Sequence, residues 1–122
     1  MIVSTTETIA GQQVSETLGI CRGNVIRARH VGNDIVAGLR NLVGGEVNEY
    51  TKMMAEAREQ AYDRMVAHAT KLGADAVIGM RFTTSTITQG AAEILAFGTA
   101  VKLVPADAPQ RAPDAQAFMT KA

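Results

Sequence analysis

The chain has 122 residues, with 12 lysines and arginines against 12 aspartates and glutamates, and a single cysteine, Cys21. A chain of this length is one domain with a modest core, burying about 65% of the surface its unfolded form exposes. Balanced charge excludes the basic footprint of a nucleic-acid or anionic-membrane binder, and one cysteine excludes an intramolecular disulfide framework. The opening residues, Met1-Ile2-Val3-Ser4-Thr5-Thr6-Glu7, lack the basic and apolar regions of a secretory leader. No run approaches the roughly 20 apolar residues of a spanning helix. The expectation is a cytoplasmic protein with neither nucleic acid nor membrane as a partner.

In chain order, Val3 to Thr6 reads as a short strand. Gln13 to Arg22 alternates around Val14, Glu16, Leu18 and Ile20 as a half-buried strand interrupted by Gly19. Val25 to His30 has strand character but alternates arginine with apolar residues, which suggests an edge or an interface. Gly32-Asn33 signals a turn, and Asp34 can cap one or two helical turns over Ile35 to Leu42.

A long helix is predicted from about Asn48 to Leu72. Tyr50, Met53, Met54, Ala57, Ala61, Met65, Ala69 and Leu72 recur at three- and four-residue steps as one apolar stripe. Gly73 stands where a left-handed C′ residue is wanted, and Lys71 complements the helix dipole. Ala76 to Phe82 then alternates as a strand, Thr83 to Gly90 reads as a polar connection, and Glu93 to Val104 alternates as the last strand. All three prolines, Pro105, Pro109 and Pro113, lie in a weakly periodic segment, so the reading is a domain over residues 1–104 and a Pro/Ala-rich tail over 105–122.

This order is α+β, one long helix packed on a small, mainly antiparallel sheet. If Leu18, Ile78, Phe82, Leu95 and Phe97 face the helix, the opposite face presents Gly19, Cys21, Gly79, Arg81, Ala96, Gly98 and Ala100. One helix covers only one side, so the other side wants a further layer, most economically a second copy of the chain.

The candidate sites each compete with a plainer role. Cys21, His30 and His68 include no pair at a metal-ligand spacing such as Cys-x-x-Cys. Cys21 reads more simply as a small buried hydrophobe, and the histidines as structural or solvated, with His68 near a helix C-terminus that favours an imidazolium. A ring of copies would still converge one Cys21 or His30 per subunit. Gly44-Gly45 before the helix offers free amides to an anion, but lacks the lysine and hydroxyl of a phosphate loop and reads equally as a hinge. Arg22, Arg27, Arg29, Arg40 and Arg81 cluster around the strands and the loop before the helix. They suit inter-subunit pairing with carboxylates or, in a groove, a small anionic ligand held by Arg22, Arg40, Arg81 and Gly44-Gly45. Met53, Met54 and Met65 at helical spacing are core filling before they are a soft-metal stripe. No nucleophile–base set is present, so no enzyme is expected.

Several stretches in one order carry a resemblance: Thr5-Thr6-Glu7-Thr8-Ile9, Leu18-Gly19-Ile20-Cys21-Arg22-Gly23-Asn24, Arg27-Ala28-Arg29-His30, Gly38-Leu39-Arg40-Asn41-Leu42-Val43-Gly44-Gly45-Glu46, Tyr50-Thr51, Glu56-Ala57-Arg58-Glu59-Gln60-Ala61 and Leu72-Gly73-Ala74-Asp75-Ala76-Val77-Ile78-Gly79-Met80-Arg81-Phe82. Over Met1 to about Val104 the chain resembles the YbjQ family, whose members are described as heavy-metal-binding. The resemblance implies a dodecin-like subunit in a pentameric ring, sometimes paired into a decamer, and a divalent or soft metal ion as a cofactor. It implies no reaction. The alternative is an oligomer that organises partner proteins without ligand chemistry.

Overall fold

The computed structural model describes residues 1–28 and 45–107. The elements are β1 (Ile2–Val3), β2 (Gln12–Ala28), α1 (Gly45–Lys71), β3 (Ala76–Thr88) and β4 (Ala91–Pro105). They form an α+β unit with one helix on a four-stranded sheet of order β1-β3-β4-β2, in which β1 runs parallel to β3 and the other pairs are antiparallel. The two strand segments expected between Gln13 and His30 are a single strand as far as Ala28, with register shifts between Val14 and Glu16 and between Thr17 and Gly19. The short helix expected over Ile35 to Leu42 lies outside the described residues.

The segment Thr83 to Thr88, expected as a polar connection, continues β3 instead. Threonine and isoleucine are β-branched and fit an extended ladder, so polarity alone misreads them. The connection to β4 shrinks to Gln89-Gly90.

The helix runs about 40 Å at 1.5 Å per residue. It ends as its sequence demands. The Ala74 amide donates to the Ala69 carbonyl at 3.0 Å and the Gly73 amide to the Thr70 carbonyl at 3.0 Å, with Gly73 at φ 82°. These are the paired bonds of a Schellman stop, and only glycine takes that left-handed position without strain. Two residues on, the Asp75 amide donates to the Val101 carbonyl and its carboxylate accepts from the Leu103 amide, both at 2.9 Å. The turn out of the helix is thereby tied to β4.

Which sheet face the helix covers is the main departure from expectation. Ala57, Ala61, Met65 and Ala69 form an i, i+4 row with no exposed surface, and they pack on Cys21, Val25, Val77, Met80, Ile94, Ala96 and Ala100. The small-residue face therefore lies under the helix. Leu95 and Phe97 lie opposite, since they alternate with the buried Ile94 and Ala96 along β4. Expected partners Leu18 and Phe82 do fall on the helix side, because irregularities in β2 and β3 shift the alternation. In β3 the irregularity lies between Ile78 and Arg81, with Gly79 at φ 61°, so Val77 and Met80 share a face while Ile78 takes the other.

Small residues on both sides bring helix and sheet into close approach. A Cβ on Gly23 would stand 2.4 Å from the Ala61 carbonyl oxygen and 2.4 Å from the Met65 amide nitrogen. Those are helix backbone atoms and cannot rotate aside. Gly23→Ala is expected to destabilise the protein by at least about 2 kcal/mol through overpacking, read as a lower urea midpoint with unchanged slope. Gly73→Ala should cost about 1–2 kcal/mol through its left-handed backbone alone, with open space at most of its sides. Equal losses at the two positions would contradict this assignment of close packing to Gly23.

Candidate functional site

Cys21 sits midway along β2, fully buried, and its thiol donates to the Gly98 carbonyl at 3.6 Å. Burial pushes the Cys21 thiol pKa up, partly opposed by hydrogen bonds from the Cys21 and Gly98 backbone. A buried neutral thiol is a poor nucleophile and a poor metal ligand. His30, its expected companion, lies outside the described residues, as do Arg29, Arg40 and Gly44. Gly45 begins α1.

Arg22 follows Cys21 and points to the uncovered face, opposite Phe97 of β4. Arg81 is opposite Phe97 from the other side, so an Arg22–Phe97–Arg81 row crosses three strands on that face. The two arginines differ in commitment. Arg81 Nη1 donates to the Thr5 carbonyl at 2.9 Å and to the Met80 carbonyl at 2.8 Å. The amides of Gly79 and Met80 donate to the carbonyls of Thr6 and Ser4, at 2.9 and 3.0 Å. Arg81 therefore clamps the N-terminal segment onto the β3 irregularity, whose outward amides that segment satisfies. The Arg22 side chain is exposed and engages no group among the described residues.

His68 is held by a backbone group of β2. Its Nδ1 accepts the Arg22 amide at 3.0 Å. One helical turn earlier, Arg64 Nη1 donates to the Asn24 carbonyl at 2.7 Å. Both side chains reach from α1 to the outer edge of β2 and satisfy backbone groups that an edge strand leaves unpaired.

The same face carries large apolar side chains beside the polar pair Asn24 and Glu93, in which the Asn24 amide donates to the Glu93 carboxylate at 3.1 Å. Ile20 is 70% and Ile26 58% exposed, with Leu95 and Phe97 half-buried between neighbouring strands. On the helix side, α1 lies chiefly over β2 and β4 and scarcely over β3. This leaves an open recess of about 250 Å³ lined by Arg58, Glu59, Tyr62 and Phe82. Sequence reasoning set Phe82 facing the helix and missed the recess, because a face assignment does not say how far a helix extends across a sheet. Among the described residues no three histidine, cysteine, aspartate or glutamate side chains converge as a metal site, and no helix is long and apolar enough to cross a membrane.

The described residues define a class: an α+β unit with one helix on one face of a four-stranded mixed sheet. The chain belongs to the YbjQ family, whose model, described as "Putative heavy-metal-binding", matches residues 1–104. Similar proteins include a UPF0145 protein of Methanosarcina acetivorans, 59% identical over 104 residues and covering 85% of this chain and 98% of the relative. A UPF0145 protein of Vibrio campbellii is also 59% identical over 104 residues, covering 85% of this chain and all of the relative. The fold matches a crystal structure of a DUF74-family protein of unknown function from Pediococcus pentosaceus, with a TM-score of 0.61 and 16% identity, over 85% of this chain and 98% of that one. The metal that the family description implies does not fit the described residues: Cys21 is sealed under α1, and no further ligands join it.

Burial of the thiol gives a pH dependence of definite sign. The folded thiol holds its proton more firmly than the unfolded one, so its contribution is constant below the unfolded thiol pKa of about 8.5 and stability falls above it. A thiol reagent should label Cys21 only as fast as the protein opens, and more than tenfold faster in denaturant. Immediate stoichiometric labelling of native protein would contradict the burial. Arg81→Ala should cost about 1 kcal/mol and speed hydrogen exchange at the Gly79 and Met80 amides, leaving those around Cys21 unchanged.

Proposed function

We propose that this chain is the subunit of a non-enzymatic homo-oligomer, a dodecin-like pentameric ring acting as a binding module in the cytoplasm. The observation that carries the reading is the sheet face that no element among the described residues covers, where Ile20 and Ile26 stand mostly exposed beside Leu95 and Phe97. A sheet covered by one helix and bare on the other side gains free energy by burying that side, at about 25 cal/mol per Å² of apolar surface. Copies of the same chain supply a matching surface at no further genetic cost. Ligand binding then belongs to the subunit junctions, where Arg22, whose guanidinium engages no group among the described residues, meets a small anion beside the Phe97 ring.

A second reading, an oligomer that organises protein partners and holds no ligand, draws support from Arg81. That side chain is occupied by its own chain's carbonyls, which removes one of the arginines expected to hold an anion.

Native mass spectrometry of untagged protein should give a single species five times the 12.9 kDa chain mass; a monomer across micromolar concentrations would end the proposal. Ile20→Glu with Ile26→Glu should disperse the assembly while leaving the far-ultraviolet circular dichroism unchanged. Retained small-molecule mass that Arg22→Ala abolishes would support the binding module, and its absence the organising oligomer. Elemental analysis should find less than 0.1 equivalent of zinc, copper or nickel per chain if Cys21 is no ligand.

A further inference from the structure

A second exposed surface is distinct from the bare sheet face. β1 pairs with β3 only at Ala76 and Val77, and the N-terminal segment satisfies Gly79 and Met80. From Phe82 onward, the outer edge of β3 is unpaired among the described residues. The other outer strand, β2, is protected by two irregularities, by Glu16 and by the His68 and Arg64 side chains. Between Phe82 and Thr86 the β3 edge has none of these. Phe82-Thr83-Thr84-Ser85-Thr86-Ile87-Thr88 contains no charge, proline or glycine, and every residue in it is exposed. Natural edges are normally blocked by one of those devices, and an unblocked edge is a template for another strand.

We infer that this edge pairs antiparallel with the same edge of a second copy, across a two-fold axis at Thr84. The bounds of the usable edge set the register. Arg81 and the N-terminal segment close one end, and the register shift between Thr86 and Thr88 bends the strand at the other. The regular free stretch is Phe82 to Thr86, with Thr84 at its midpoint. A two-fold perpendicular to a sheet keeps each residue on its own face, so residue pairs sum to an even number. Centred on Thr84, the pairs are Thr84 with Thr84, Thr83 with Ser85 and Phe82 with Thr86. Hydroxyl opposite hydroxyl and aromatic opposite β-branched are favourable cross-strand pairs, and no like charges meet. The result is one continuous eight-stranded sheet. The edge lies in the sheet plane and leaves the faces free, so the contact is independent of the face-mediated assembly proposed above and can join two such assemblies.

The test is a cysteine at the axis. Thr84→Cys places two thiols directly opposite one another, whereas Thr86→Cys places them four residues apart, about 13 Å along the paired strands. Native Cys21 is buried and does not compete. Under mild oxidation, Thr84→Cys should convert mostly to a covalent dimer on non-reducing electrophoresis, at least tenfold faster than Thr86→Cys. Equal rates, or no dimer from Thr84→Cys, would overturn the inference, the latter leaving the edge to a different partner or to none. As a second arm, Thr84→Lys sets like charges opposite each other and should halve the mass of any species that contains the contact. An unchanged mass would also overturn it. The face variant Ile20→Glu/Ile26→Glu combined with Thr84→Cys should still cross-link, so loss of the face-mediated assembly and loss of the edge contact are read separately.

Discussion

The close approach of α1 to β2 governs the rest of the molecule. Gly23 has no side chain because the helix backbone at Ala61 and Met65 occupies the space a Cβ would need. The alanines at 57, 61 and 69 let the helix descend to that distance, and Cys21, Ala96 and Ala100 form the floor it lands on. Interiors pack like organic crystals, so a seam of small residues is a close contact and not a gap. Met65, the one large side chain in the buried row, fills the space that remains.

Several features follow from that seat. A helix drawn over β2 reaches the strand's outer edge, where His68 and Arg64 satisfy backbone groups that would otherwise seek another strand. The same displacement leaves β3 largely uncovered on the helix side, which opens the recess beside Phe82. Because the small residues are spent on the helix contact, the larger apolar ones, Ile20, Ile26, Leu95 and Phe97, are left on the face with no partner layer among the described residues. One packing choice thus protects one edge, exposes another and bares one face.

Cys21 and the arginines also take their character from this arrangement. A lone cysteine in a family described as heavy-metal-binding invites a ligand role, but position under the helix makes it a neutral filler. Arg81 and Arg22 lie opposite the same phenylalanine, yet one clamps the N-terminal segment and the other engages no group among the described residues. What separates them is a neighbouring segment, supplied to β3 by residues Ser4 to Thr6 and missing beside β2 among the described residues.

The amino-acid sequence by itself determined what depends on near neighbours along the chain. The 3.6-residue period marked the helix, Gly73 its end, and the alternation after Ala76 the strands, because each is enforced within a few residues. Three things were decided only by tertiary structure. The covered face depended on how closely helix and sheet could approach, which alternation cannot express since it separates two faces without ranking them. The extent of β3 depended on β4 beside it, which turned a threonine-rich stretch from a connection into a strand. The roles of Cys21, His68 and Arg81 depended on backbone partners 77, 46 and 76 residues away. No local pattern carries such information, because folding brings those groups together and the sequence keeps them apart.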